Sequence, residues 1–397
     1  MSQSTQDYAT DAVSSQSRGL LAVVGFSLFL DYFLYGLLFP LAAHSPVGLK
    51  SDGHLALLYG VYAVSVLLVT PLFGYLGDRI GSRSTMMSGA LLAVCAVSLL
   101  GGATNLSVML LGKFCQGAAS AALWTSGLAL IATHYVEKRV VMLGYAFTAG
   151  TLGSVTGPIA GGLLYRAAGY KLPFLLIGGG FAIAVVAIAC LPAAGKQRHD
   201  AVNLRALLAN RSILVPAASV ALAAFSMGII EPLLPVRLAR FGLTSIAIGI
   251  MFTVSTLAYG FSSPVVGRVS ERFPIQRVIV WGTIAMAASI PFLALVKGAI
   301  LVGITLCLIN VAYAFMLNPA SAELGNVVDR SGMSCYSAVY AVYNISYSIG
   351  MLGTAALAST AARLLSFSGV LLCASAVLLL SVPLLIKAGQ PKKPVSA

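Results

Sequence analysis

The stretch Pro71–Gly81, PLFGYLGDRIG, returns at Pro264–Pro274 as PVVGRVSERFP, at a constant offset of 193 (71 to 264, 79 to 272). Proline, glycine, an aliphatic residue, an acid and arginine coincide at 71/264, 74/267, 76/269, 78/271 and 79/272. Each copy closes the second long apolar run of its half of the chain. An offset of about half the chain length points to a duplicated unit. The surrounding composition says what kind. Of 397 residues, 59% are hydrophobic and only 9% are charged, against about 25% charged in a soluble domain. Too few charges exist to clothe a water-soluble surface, so most of the chain must face lipid or other helices. A helix that crosses a bilayer needs roughly 20 apolar residues. Apolar windows interrupted by Gly, Pro and charge predict twelve spans, at about residues 19–43, 55–77, 85–103, 107–133, 139–166, 172–192, 212–236, 243–269, 275–296, 299–325, 333–360 and 364–387.

The expected fold is therefore all-α and polytopic, with twelve transmembrane helices in two pseudo-symmetric six-helix bundles. Residues 1–192 form the first bundle, 193–211 a cytoplasmic linker, and 212–397 the second bundle with a short cytoplasmic tail. The linker is the longest polar interruption and holds Lys196, Arg198, His199, Asp200 and Arg205. The net charge of +13 would suggest nucleic acid in a soluble protein; here it reads as the basic bias of cytoplasmic membrane loops, and no nucleic-acid partner is expected. With the N-terminus inside, seven of the 24 Lys and Arg fall on the outer side (Lys50, Arg166, Lys171, Arg237, Arg240, Lys297 and Arg363). Lys113 falls within a span, and the other sixteen are cytoplasmic. That asymmetry places both termini in the cytoplasm. Residues 1–17 are polar, include Asp7 and Asp11, and lack a basic start and a cleavage site, so no cleaved signal peptide is read there. The six cysteines show no ligand-like spacing; neither a disulfide framework nor a metal site is expected.

Three motifs carry a resemblance. Gly74-x-Leu76-Gly77-Asp78-Arg79-x-Gly81-x-Arg83 resembles the signature of the loop between spans two and three in the major facilitator superfamily. Gly144-(x8)-Gly153-(x3)-Gly157-Pro158-(x2)-Gly161-Gly162 matches the fifth-span motif of that superfamily's antiporter branch. Small residues of this kind let two helices approach closely, and Pro bends a helix. Lys113-Phe114-Cys115-Gln116-Gly117-(x3)-Ala121 resembles the fourth-span motif, which ordinarily opens with Arg; Lys is a different ligand, a point charge rather than a planar fork. Within the branch the likeness is greatest to the vesicular monoamine transporters. It rests on Phe29-Leu30-Asp31, on Glu231-Pro232-x-Leu234-Pro235, and on Val328-Asp329-Arg330 followed by Ser334-x-Tyr336-x-x-Val339-Tyr340-Ala341. The chain departs from them by having Leu317 or Asn318 and Asn344 where those transporters place carboxylates, and by lacking a long loop between spans one and two. The resemblance therefore implies a bacterial-type exporter of drugs or amines in the cytoplasmic (inner) membrane.

Charges deep in a bilayer cost about 2.5–3.5 kcal/mol each on insertion scales, so each asks for a reason. Asp31, Lys113 and Glu231 are the strong cases. Asp31 and Glu231 lie on the first helix of each half and are expected to face a central cavity, each able to hold either a proton or an organic cation. Two other readings stand beside this one: Asp31 paired with Lys113, and Glu231 as a hydrated residue near the outer surface. In span eleven, Tyr336, Tyr340, Tyr343, Asn344 and Tyr347 follow one another at helical spacing and line much of one face, where they either hold a cation by their rings or pack helices. Tyr35 lies one turn from Asp31; Trp124 and Phe225 are weaker candidates. Asp78, Arg79, Arg83, Glu271 and Arg272 are the candidates for a cytoplasmic gate, in which an acid at a helix end holds a partner helix and an Arg pairs across the two halves. Glu323 reads as structural.

A duplicated helical unit with buried acids reads as two bundles rocking around a site at the bilayer midplane. The expected activity is proton-coupled antiport (efflux) of organic cations, amines or drugs by alternating access, driven by the proton gradient with no cofactor. The alternative is transport of a neutral or anionic metabolite with Lys113 as the anion's partner. The partners expected are a small lipophilic cation, protons and the lipid bilayer, with the protein a monomer. Enzymatic chemistry is not expected, since no nucleophile-and-base set, metal cluster or nucleotide loop is present and the Gly-rich stretches lie in apolar helices.

Overall fold

The computed structural model describes residues 3–42, 47, 52–191, 210–240, 242–296, 298–332, 335–361 and 366–388. The predicted linker lies outside these residues except for its last two, as does Ser334. The described residues are helical throughout, with no strand. The helices are α1 (Gln3–Ala42), α2 (Asp52–Ile80), α3 (Ser82–Gly101), α4 (Leu106–His134), α5 (Arg139–Ala168), α6 (Lys171–Cys190), α7 (Arg211–Arg240), α8 (Ser245–Arg272), α9 (Ile275–Ser289), α10 (Ala299–Ser331), α11 (Tyr336–Ala361) and α12 (Phe367–Ala388). One further turn, Phe292–Leu295, continues α9 past Pro291, whose missing N–H interrupts the helical hydrogen bonds.

Eleven of these helices are long and apolar enough to cross a bilayer. The exception among the described residues is α11, in which tyrosines, serines and Asn344 between Tyr336 and Tyr347 interrupt the apolar run. The protein is thus all-α and polytopic, as expected. Several boundaries differ from the sequence reading by a few residues, and two helices run well past it: α1 begins at Gln3 rather than 19, and α10 continues to Ser331 rather than 325. Helix formation does not stop where hydropathy falls, because polar residues extend a helix as readily as apolar ones.

Local chemistry sets several ends. Gly81, at φ 93°, lets the chain pass from α2 into α3 in one residue, a conformation that penalises any side chain. The Asn105 side chain accepts from Val108 N at 3.0 Å and caps α4, and Thr244 caps α8 in the same way through Ala247 N.

The chain forms two compact units. The first comprises residues 1–202 and 332–344, the second residues 203–331 and 345–397. Residues 332–344, which the sequence reading gave to the second half, pack with the first unit, so α11 contributes its opening turns there and its remainder to the second.

In the first unit the tightest crossing is α1 on α5. A Cβ on Gly153 would stand 3.0 Å from Phe33 N and closer still to Phe29 O. One on Gly157 would crowd Phe33 O and stand 3.2 Å from Leu37 N, and one on Gly36 would stand 2.8 Å from Pro158 Cδ. Gly153 and Gly157 are one turn apart and present one bare face to α1, which is the close approach that small residues permit. Gly144 and Gly161 are also buried, but a Cβ on Gly162 would meet nothing within 4 Å. In the second unit, Gly282 on α9 abuts the Phe315–Met316 backbone of α10. Ser375 donates to Ala287 O at 2.6 Å, joining α12 to α9, and Thr354 donates to Phe225 O at 3.0 Å, joining α11 to α7.

Candidate functional site

Asp31 lies on α1 with 1% of its surface exposed. Its Oδ2 accepts from Ser120 Oγ at 2.6 Å and from the Trp124 indole Nε1 at 3.0 Å, both on α4. Its Oδ1 is buried and accepts no hydrogen bond among the described residues. A buried carboxylate oxygen ordinarily finds a donor, so this one is an open acceptor position. The Tyr62 hydroxyl of α2 donates to Ser120 Oγ at 3.0 Å. Tyrosine, serine and aspartate thus form one line of hydrogen bonds across three helices.

Lys113, on α4, is fully buried. Its ammonium donates to Gln116 Oε1 at 2.8 Å, one turn along the same helix. It sits over three tyrosine rings, 4.6 Å from the centroid of Tyr59, 5.6 Å from Tyr35 and 5.7 Å from Tyr62. The electron-rich ring faces stabilise the cation where water cannot. Among the described residues no direct ion pair joins Lys113 to Asp31: Lys113 bonds instead to Gln116, and Asp31 to Ser120 and Trp124, although their charges act on one another across the cluster. The two share the Tyr62–Ser120 wall instead. Gly117 makes this wall possible: a Cβ there would stand 2.5 Å from Tyr62 O and 2.8 Å from Ser65 Cβ, and its absence lets α2 lie against α4.

Aromatic rings continue away from this cluster. Tyr32 and Trp124 are 4.8 Å apart, Trp124 and Phe147 stack at 6.1 Å and 10°, and Phe147 and Tyr343 stack at 5.5 Å and 15°. Tyr343 lies 6.4 Å from Tyr340, and both are buried. Asn344 donates from Nδ2 to Thr125 Oγ1 at 2.8 Å. Asp31, Lys113, Tyr35, Tyr340, Tyr343 and Asn344 therefore all belong to the first unit. Tyr347 and Glu231 belong to the second. Glu231 is exposed and forms no hydrogen bond or ion pair among the described residues. In that second unit the Tyr259 hydroxyl donates to Asn318 Oδ1, and Asn318 Nδ2 donates to Ser263 Oγ at 3.1 Å, a neutral polar cluster on α8 and α10.

The sequence reading did not single out Tyr59, Tyr62, Ser120, Tyr32 or Phe147. One signal was available: Lys113, Gln116, Ser120 and Trp124 recur at spacings of three, four and four on an otherwise apolar helix, which is one polar stripe. No comparable signal ties Tyr59 and Tyr62 to it.

The candidate gate residues behave unequally. Asp78, 7% exposed, accepts from Ser337 N at 2.8 Å and Ala338 N at 3.0 Å. It thereby caps the N-terminus of α11 from another helix, satisfying amides that have no partner within α11 and meeting the positive end of its dipole. Its repeat counterpart Glu271 is exposed, as is Arg272. Arg79 donates to the hydroxyl of Tyr75, one turn back on α2. Arg83 donates to the Ile188 and Ala189 carbonyls at the end of α6, placing a cation where that helix's dipole favours one. Glu323 pairs with Arg330 and accepts from Asn326 Nδ2 at 3.2 Å, within α10.

The family model of the Major Facilitator Superfamily matches residues 21–216 and 216–397. The probable vesicular acetylcholine transporter-B of Danio rerio is 26% identical over 362 residues, which cover 84% of this chain and 71% of that protein. The vesicular acetylcholine transporter of Drosophila melanogaster is 25% identical over 380 residues, covering 84% and 65%. The synaptic vesicular amine transporter of Bos taurus is 24% identical over 310 residues, covering 76% and 60%. This chain thus spans between 60% and 71% of the length of these relatives. The crystal structure of the human organic anion transporter MFSD10 (TETRAN) shares the fold, with a TM-score of 0.74 over 93% of this chain and 99% of that one at 18% identity. A chain of apolar helices matched along nearly its whole length in this way is a multi-pass membrane transporter, not an enzyme, and it belongs to the Major Facilitator Superfamily.

Proposed function

We propose that this transporter exchanges protons for organic cations or amines by alternating access, exporting the cation. The observation that carries the reading is the open Oδ1 of Asp31, a buried acceptor held between Ser120, Trp124 and a run of aromatic rings. One site that takes a proton or an ammonium, never both, couples the two fluxes. An acid in a water-poor surround binds either cation in preference to standing bare. The relatives named for acetylcholine and amines support the same substrate class. In this reading Glu231 is the second coupling acid, and Tyr340, Tyr343, Asn344 and Tyr347 line the cation's route. Asp78, Arg79, Arg83, Glu271 and Arg272 belong to the cytoplasmic closure, with the Asp78 cap on α11 as its latch. Residues 1–192 and 212–397 are the two rocking bundles and 193–211 their linker. The protein works as a monomer in the cytoplasmic membrane, with both termini inside and without a cofactor. Transport of an anion on Lys113 is the weaker reading, because that ammonium already has Gln116 and three rings as partners.

The test is uptake of labelled tetraphenylphosphonium and of a labelled monoamine into proteoliposomes under an imposed pH gradient. Uptake that follows the gradient is expected in the parent, with none above background in Asp31→Asn, which should remain monodisperse in detergent. Coupled uptake at the parent's rate by Asp31→Asn would remove Asp31 from the mechanism.

A further inference from the structure

The three tyrosines around Lys113 form a built site. Tyr59 donates its hydroxyl to Tyr35 O at 3.1 Å, and Tyr62 donates to Ser120 Oγ at 3.0 Å, so two of the rings are tied at their far ends. The Tyr35 ring lies 5.0 Å from that of Tyr59 and 5.0 Å from that of Tyr62. Gln116 closes the box with a carbonyl oxygen toward the ammonium, while its Nε2 is buried and donates to no partner among the described residues. Three ring faces and one amide oxygen are the chemistry by which proteins hold ammonium and methylated ammonium groups. The group held here is the protein's own lysine. A tethered cation fills the box with no translational cost, and a second acceptor adjoins the box: Asp31, whose Oδ2 accepts from the Ser120 hydroxyl that Tyr62 also reaches, has its buried Oδ1 unfilled among the described residues.

We infer that the Tyr35–Tyr59–Tyr62 box is a binding subsite for small ammonium groups, that Lys113 is its tethered occupant, and that a substrate's ammonium head displaces Lys113 toward Asp31. The inference rests on the proposed cation specificity and names its chemistry: a primary or small methylated ammonium head, with a lipophilic body outside the box. A tethered competitor of this kind weakens substrate affinity while the box is filled. It also links cation entry to the charge on Asp31.

The chain has two tryptophans, and Trp124 lies 4.8 Å from Tyr32, beside Asp31. In a Trp281→Phe background its emission reports on the cluster. Detergent-purified protein is titrated with tetramethylammonium and with methylammonium. Lys113→Ala should bind tetramethylammonium at least about tenfold more tightly than the Lys-bearing background, and adding Tyr59→Leu should lose that gain. Lys113→Met, which keeps the apolar stem, replaces the alanine variant if the latter is not monodisperse. In the Lys-bearing protein Asp31→Asn should weaken tetramethylammonium binding, because the displaced lysine loses its acceptor. In the Lys113→Ala protein the same change should cost less, because only the carboxylate's own attraction for the bound cation is then lost, whereas a merely structural Asp31 would act equally in both. Equal affinity with and without Lys113, or a gain indifferent to Tyr59, overturns the inference. Gradient-driven cation uptake alongside that result leaves the proposed function standing. Binding as expected without any such uptake retains the box and removes the antiport reading.

Discussion

Replacing Gly153 by Ala should loosen the α1–α5 crossing, and the effect can be sized from the contacts. The added methyl would stand 3.0 Å from Phe33 N and 3.0 Å from Phe29 C, and nearer still to Phe29 O. All three atoms are backbone, so no side chain can swing aside; α1 itself must move by a large fraction of an ångström. Forcing a methyl into such a contact costs about 1–3 kcal/mol. For a unit of about two hundred residues, each kcal/mol lowers the unfolding midpoint by about 2–4 °C, so a fall of about 2–12 °C is expected. Phe29 and Phe33 flank Asp31 on α1; the displacement therefore carries Asp31 away from Ser120 and Trp124, and gradient-driven uptake should fall with stability. Gly162→Ala is the internal control. It lies in the same motif, but its Cβ would meet nothing within 4 Å, and Ala is a better helix former by about 1 kcal/mol. Its midpoint should hold or rise by about 2–4 °C. Fluorescence-monitored thermal unfolding in one detergent compares the three proteins. Equal midpoints for Gly153→Ala and the parent would refute the close approach and the role given to this face of α5.

Asp78→Ala removes two hydrogen bonds from a carboxylate to the first amides of α11, each worth about 1.5–3 kcal/mol. Cys335, 1% exposed and immediately before α11, should then react with N-ethylmaleimide at least about tenfold faster through local opening. Glu271→Ala, at the exposed repeat position, should leave that rate alone; unchanged labelling in Asp78→Ala would dismiss the cap as a latch. If Glu231 is the second coupling acid, Glu231→Gln should lower the number of protons moved per cation, read as a smaller cation accumulation at the same pH gradient. Accumulation equal to the parent's would confine coupling to the first unit.

The apolar spans, the two-fold repeat and the family motifs were legible because each belongs to a contiguous stretch: twenty apolar residues are a membrane span whatever lies beside them. Gly153 and Gly157 were legible as a packing face for the same reason, since their spacing of four is a property of one helix. Asp31, Lys113 and Glu231 stood out because a charge in an apolar run is costly wherever its helix packs. Partnership is another matter. Asp78 and Glu271 occupy the same repeat position, yet one caps α11 and the other is exposed, and nothing in either eleven-residue stretch distinguishes them. Arg79 reaches Tyr75 on its own helix and Arg83 the end of α6, partners that the loop motif alone does not name. Tyr59 and Tyr62 enclose Lys113 only because Gly117 lets α2 lie against α4. The sequence by itself determined which helices exist and which of them carry a charge; tertiary structure decided what each charge meets, because side-chain neighbours in a helical membrane protein are set by how closely separate helices approach, and that distance depends on small residues read from both partners at once.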